Sequence, residues 1–245
     1  MNEEEKYLFD LQGYVTVPNA LTPEQIAGLN TILDEKIQTE VALDETSHRF
    51  GGLLKWGKEY IDLIDNARTL PQLKTVIGSR PRLDHVYLDI IRGGLSPIGA
   101  SLHGGGNRFD FCQYYRYADG QMYNGLTVVA YNLHDVNPGD GGFGCIPGSH
   151  KANFSLPQGW GDLEHPQDIV RAVTGPAGTA IIFTEALTHG AMPWKGARDR
   201  RTIFFKYCPA PTAYSGSYFN ADEYADLTES QRDILSSPRI GGSRK

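Results

Sequence analysis

The stretch "TAIIFTEALTHGAMPWKGARDRRTIFFKYCP" (179–209) contains two apolar runs separated by a polar, glycine-containing segment. The runs "TAIIFTE" and "RTIFFKYCP" are short and rich in β-branched and aromatic residues, which is typical of buried β-strands. His189 and Arg200 lie between the two runs, and Arg201 is the first residue of the second run. The stretch therefore predicts two neighbouring strands with chemistry-bearing side chains at their ends.

Further apolar runs of strand length lie upstream, separated by turns rich in glycine and proline. They fall within 13–21, 84–92, 125–133 and 142–147. Helices are expected over about 23–39, where Thr22 and Gln25 form a capping box, and at 71–78 and 227–235. Many short strands, with helices mainly near the N-terminus, predict a mainly β sandwich or barrel with helices packed on one sheet.

The length and composition are those of one globular domain with a sizeable core. The chain has 245 residues, of which 40% are hydrophobic, and one domain spanning 1–245 is expected. A net charge of −6 without a Lys/Arg run does not favour nucleic acid or an anionic membrane surface as partner. No segment resembles a signal peptide or a membrane span, so a cytoplasmic location is expected by default.

Two of the seven histidines stand out by context. His103 lies in "SLHGGGNRFDF" (101–111), just before a glycine run, and His189 follows an apolar strand. Histidines at strand ends that face each other across a barrel mouth can form a metal site. Two imidazoles and a carboxylate on one face of an octahedral ion leave three positions open, which suits Fe(II), a chelating keto acid and O2. An arginine projecting from the next strand would bind the far carboxylate of that acid, although "KGARDRR" (195–201) also fits a solvated turn.

Three motifs in order resemble the phytanoyl-CoA dioxygenase family. "NPGDGGFGCIPGSHK" (137–151) resembles its signature, with the Pro-Gly-Ser-His turn that ends at His150. "LFDLQGYVTVPNALTPEQIAGLN" (8–30) is similar to the family's opening strand and helix, and "THGAMPWKGARDRRTIFFKY" (188–207) to its distal His and Arg segment.

The resemblance implies a double-stranded β-helix (jelly-roll) fold that binds Fe(II) and 2-oxoglutarate, with O2 as co-substrate. It implies an oxidoreductase, a non-haem iron dioxygenase that oxidises a C–H bond of a small-molecule metabolite. By position, His103 and His189 match the metal ligands. Arg200 matches the 2-oxoglutarate clamp, with Arg201 next in line, and Tyr131 an aromatic residue near the co-substrate.

The chain departs from the family at one decisive position. The family's His-x-Asp motif has Gly105 where the aspartate is expected. In one alternative Asp110, or less readily Glu185, supplies the carboxylate. In another, chloride occupies the position left open at Gly105, as in the iron halogenases of the superfamily. In a third, the site has decayed and the chain is a non-catalytic binding protein. A decayed site is disfavoured because His103, His189 and Arg200 all stand where the chemistry needs them. Oxygenation is favoured over halogenation because it is the dominant reaction of the family.

Overall fold

The computed structural model describes residues 1–106 and 110–239 of the chain. The helices in this part of the chain are α1 (Glu3–Gln12), α2 (Pro23–Glu40), α3 (Lys58–Ile61), α4 (Leu70–Ile77) and α5 (Glu229–Ile234). The strands are β1 (Tyr14–Val17), β2 (Ser47–Phe50), β3 (Pro81–Ile91), β4 (Tyr115–Ala118), β5 (Gln121–Asn124), β6 (Thr127–Asn132), β7 (Gly142–Cys145), β8 (Arg171–Ala172), β9 (Ala180–Thr184), β10 (His189–Met192) and β11 (Arg200–Pro209).

Two antiparallel sheets form the body of the described part of the chain. The larger one has six strands in the order β1-β9-β6-β11-β3-β2, and the smaller one has the order β10-β7-β8. Apolar side chains from both sheets form one cluster between them, which contains Val128, Ile181 and Phe204 from the larger sheet and Phe143 and Cys145 from the smaller. The predicted mainly β, jelly-roll architecture is confirmed.

The outer face of the larger sheet carries the helices. Leu29 and Leu33 of α2 and Leu73 of α4 pack in the same cluster as Ile203 and Phe205 of β11. Because side chains alternate across a strand, β11 presents its odd-numbered residues to the helices and its even-numbered residues to the space between the sheets. No helix of the described residues is both long and apolar enough to cross a membrane.

The helix predicted over about 23–39 is α2, and its capping box is present as expected. The Thr22 side chain accepts from the backbone N–H of Gln25, and the Gln25 side chain accepts from that of Thr22. The helices predicted at 71–78 and 227–235 and the strands predicted from 13 to 209 are likewise confirmed within a few residues. The sequence patterns did not indicate α1, β2, β8, β10 or the hairpin of β4 and β5.

Thr22→Ala should lower the free energy of unfolding by about 1 kcal/mol, because one N-terminal N–H group of α2 loses its acceptor. For a chain of this size that corresponds to a fall of about 2–4 °C in Tm, measured by thermal denaturation followed by circular dichroism. Thr31→Ala is the matched control, since Thr31 is exposed in the middle of the same helix. Equal effects of the two substitutions would contradict a capping role for Thr22.

Candidate metal centre

His103 and His189 are brought together by their own backbones. The N–H of His103 donates to the carbonyl of His189 at 2.8 Å, and the N–H of His189 donates to the carbonyl of His103 at 2.9 Å. His189 is the first residue of β10, so the loop that carries His103 is attached to the edge of the smaller sheet. The two imidazole rings lie with their centroids 4.3 Å apart.

Glycine at position 104 permits this close approach. Gly104 has φ +76°, and a Cβ there would lie 2.6 Å from the carbonyl oxygen of Leu187 and 2.7 Å from that of Glu185. Any side chain would push the His103 loop away from the turn between β9 and β10. Glycine at position 104 therefore has a structural reason that is independent of chain flexibility.

Glu185 is placed by a tight turn directly after β9. The N–H of Leu187 donates to the carbonyl of Thr184 at 3.0 Å, which closes the turn, and the N–H of Glu185 itself donates to the carbonyl of Leu126 at 2.9 Å. The carboxylate is buried, and its Oε2 lies 3.8 Å from Nε2 of His189. One ligand atom from each of His103, Glu185 and His189 can be chosen so that all three lie within 4.8 Å of one another.

The tautomer of His189 is fixed by a backbone contact. Nδ1 lies 2.6 Å from the carbonyl oxygen of Leu187, and because a carbonyl only accepts, Nδ1 carries the proton. Nε2 is then free of hydrogen and offers its lone pair toward Glu185. Burial lowers the pKa of His189 to about 4, with Glu185 opposing and His103 adding to the shift. The imidazole is therefore neutral near pH 7, the form that binds a metal.

The charge of Glu185 is balanced by Lys206. Its Oε1 accepts from Nζ of Lys206 at 2.6 Å, and both side chains are largely buried. Burial alone would raise the pKa of Glu185, but the charge and hydrogen bond of Lys206 act against burial, and the pKa is lowered to about 2. Glu185 is thus ionised near neutral pH. Lys206 also lies 5.3 Å from the ring centroid of Tyr87.

Arg200 is a buried cation that forms no salt bridge with another residue in the described part of the chain. It is 4% exposed, and its Nε finds no hydrogen-bond partner among the described residues. Asp89, whose charge acts on Arg200, forms its bidentate ion pair with Arg49 instead, at 2.6 and 2.7 Å. Burial lowers the pKa of Arg200 from its usual value, and Asp89 opposes this. Because a buried unpaired guanidinium is costly, an anionic ligand is the natural partner.

His103, Glu185, His189, Arg200 and Lys206 all line one cavity of about 50 Å³. Aromatic rings and the Arg49–Asp89 pair complete its wall. The arrangement combines metal-binding side chains and an anion-binding side chain in one largely apolar space between the sheets.

Other candidates from the sequence lie elsewhere. Tyr131 is fully buried on the helix side of the larger sheet, where its hydroxyl lies 2.9 Å from that of Thr69. Arg201 also faces the helix side and forms ion pairs with Asp34 and Asp199, both at 2.8 Å. The structure thus separates the two adjacent arginines, and only Arg200 lines the cavity.

Asp110 lies at the start of an exposed turn. Its carboxylate accepts from the backbone N–H groups of Cys112 at 2.7 Å and Gln113 at 2.9 Å. Within the described residues it is not part of the His103 cluster. Arg108, the other partner considered for it, lies outside the described residues. Gly105 has φ +107° and lines a separate pocket beside the 147–149 turn.

His150, at the end of the Pro-Gly-Ser-His turn, has a packing role. It is buried, its Nε2 lies 3.1 Å from the carbonyl oxygen of Asp10, and its ring packs edge-on against Tyr115.

Sequence reasoning missed Lys206, although one signal for it was available. Lys206 and Arg200 are separated by an even number of positions on β11 and therefore share a face of the strand. An arginine assigned to the barrel interior implied that the lysine would point there as well.

Residues 103–202 match the sequence model described as phytanoyl-CoA dioxygenase. The matched segment spans less than half of the chain. The resemblance predicted from the sequence is confirmed, and the matched segment contains His103, Glu185, His189 and Arg200. None of the curated proteins compared with the chain matches it significantly.

Several solved structures share the fold across nearly the whole chain. HygX from Streptomyces hygroscopicus, with nickel and 2-oxoglutarate bound, has a TM-score of 0.79 at 23% identity and covers 93% of this chain and 94% of its own. HygX with iron bound has a TM-score of 0.76 at 23% identity, with 93% of each chain covered. Apo HygX has a TM-score of 0.71 at 24% identity, covering 92% and 93%. The chain therefore shares the fold of HygX.

Gly105→Asp, which would restore the family motif, should destabilise the protein by about 1–3 kcal/mol, because a residue with a Cβ is strained at φ +107°. Thermal unfolding of the metal-free protein would measure the loss. Gly51→Asp is a matched control: Gly51 is exposed, and a Cβ there would meet nothing within 4 Å. A Gly105→Asp protein as stable as the Gly51→Asp protein would contradict the expected strain.

Proposed function

We propose that the protein is a non-haem Fe(II)/2-oxoglutarate-dependent oxygenase that hydroxylates or otherwise oxidises a C–H bond of a small-molecule metabolite. The observation that carries this proposal is the cavity shared by His103, His189 and the unpaired, buried Arg200. A pair of imidazoles suits Fe(II), and a buried guanidinium suits a carboxylate.

The donor set fits the cofactors that the family implies. His103 and His189 would hold the iron, and of the two carboxylates considered from the sequence, Asp110 and Glu185, only Glu185 lies within reach of both. Arg200 would bind the far carboxylate of 2-oxoglutarate through its planar guanidinium. Iron, once bound with 2-oxoglutarate and O2, supplies the oxidising power for attack on a C–H bond.

The chain itself orients ligands and excludes water. The contact from Nδ1 of His189 to the Leu187 carbonyl holds the ring with Nε2 toward the cavity. Phe143, Phe183 and Phe204 surround the site with apolar surface, which keeps water away from reactive species. Solved structures of HygX with iron and with nickel and 2-oxoglutarate support the same cofactors in this protein, and a third contains hygromycin B, a small molecule.

Arg200→Met should weaken 2-oxoglutarate binding at least about 10-fold, because a hydrogen bond to a charged group is worth about 1.5–3 kcal/mol. The measurement is an anaerobic titration of the Fe(II) protein with 2-oxoglutarate, followed by visible absorption and calorimetry. Arg201→Met is the matched control, since Arg201 pairs with Asp34 and Asp199 on the other face of the sheet. If both variants bind 2-oxoglutarate as the wild type does, Arg200 is not the clamp.

A halogenase is the second candidate, favoured by the absence of a side chain at Gly105. In that case chloride would occupy the position of the missing aspartate. Adding chloride to the anaerobic Fe(II)–2-oxoglutarate protein should shift the visible absorption band if the protein is a halogenase. A band that is indifferent to chloride supports the oxygenase.

A further inference from the structure

We propose that Glu185 replaces the carboxylate missing at Gly105, so that the metal is held by His103, Glu185 and His189. The inference rests on the proposed metal-dependent function and specifies its coordination. In this arrangement the carboxylate comes from the turn between β9 and β10, four residues before the second histidine. The loop that contains His103 then supplies only that histidine as a ligand.

The two oxygens of Glu185 have different environments. Oε1 is held by Lys206 at 2.6 Å, whereas Oε2 faces Nε2 of His189 at 3.8 Å. Two donors on one face of a metal lie about 3 Å apart when each is about 2.1 Å from the ion. A movement of less than about 1 Å would therefore bring Oε2 and Nε2 to a shared ion. The hydrogen bond to Oε1 is the kind of outer contact that orients a ligating carboxylate.

Backbone contacts fix the position of Glu185 on both sides. Its N–H is tied to Leu126 of the neighbouring segment, and the following turn is closed by Thr184. Its own carbonyl would collide with any side chain at position 104. The carboxylate and the His103 loop are therefore assembled as one unit, which is how a preorganised metal site is built.

Asp110 is poorly suited to the same role. Its carboxylate is exposed and already accepts two backbone N–H bonds of its own turn. Recruiting it would break both contacts and move the turn, whereas Glu185 needs only a small side-chain adjustment. With Glu185 in place, the metal already has an anionic ligand, so the position near Gly105 does not require a halide.

The test is a titration of the purified, metal-free protein with Co²⁺, without 2-oxoglutarate or substrate, followed by calorimetry and by the visible d–d absorption of the ion. We expect one site in the wild type and no binding in His189→Ala. Glu185→Gln should bind Co²⁺ more than about 100-fold more weakly and with altered absorption bands, since loss of a mere outer-sphere partner costs about 10–100-fold.

Two further variants make the result specific. Asp110→Asn removes the rival carboxylate and should bind Co²⁺ as the wild type does. Glu185→Asp keeps the negative charge beside Lys206 but withdraws the oxygens by one methylene, so it should fold and still show weaker binding and shifted bands. Circular dichroism checks that each variant is folded before titration.

The outcomes separate the inference from the proposed function. If wild type and His189→Ala both fail to bind Co²⁺, the metal-dependent function is wrong and the inference falls with it. If the wild type binds and His189→Ala does not, but a folded Glu185 variant keeps wild-type affinity and bands, Glu185 is not a ligand and the oxygenase proposal stands. If Asp110→Asn is the only carboxylate variant that loses Co²⁺ binding, the inference is also overturned.

Discussion

The reciprocal backbone pairing of His103 with His189 is the constraint on which the rest of the site depends. It joins a loop to the first residue of β10 and so sets the distance between the two imidazoles. The pairing is sterically allowed only because position 104 is glycine, where a Cβ would overlap the carbonyl oxygens of Leu187 and Glu185. The same contact that positions the histidines therefore also brings Glu185 to them.

Strand alternation then decides which charged residues join the site. Along β11, Arg200 and Lys206 point between the sheets, while Arg201 points to the helices and pairs with acidic residues there. A shift of the register by one residue would exchange the two arginines. Pairing of Phe205 and Lys206 with Val129 and Val128 of β6 fixes that register along the strand. The apolar pattern of β11 thus determines which arginine reaches the cavity.

Local patterns in the sequence were sufficient to predict most of the helices and strands. The Thr22 and Gln25 capping box and the apolar runs are short-range patterns, and the helix and strands predicted from them are present. The β4–β5 hairpin was missed because its strands are short and only partly buried, so they lack a strong apolar alternation. Helix α1 was missed because its many acidic residues and single buried residue, Phe9, give a weak amphipathic pattern.

The part of the site that depends on local sequence patterns was also predictable. His103, His189 and Arg200 were found from their positions at strand ends and from family spacing, and all three line the cavity. Tyr131 lies on the opposite face because the side of the sheet depends on register, which a motif does not specify. The contact between Glu185 and Lys206 spans β6, which lies between β9 and β11. Such a contact follows from sheet order and not from local sequence.

The Glu185–Lys206 pair has a consequence for how the site is maintained. A buried carboxylate in this position would be strongly destabilising without a cation. Lys206 provides that cation from within the chain, so the carboxylate is held ionised and oriented before any metal arrives. If Glu185 is a metal ligand, as we propose, its carboxylate is thus already ordered by Lys206 before the metal binds. The ion pair therefore balances the buried charge of Glu185 without a metal and leaves Oε2 facing His189.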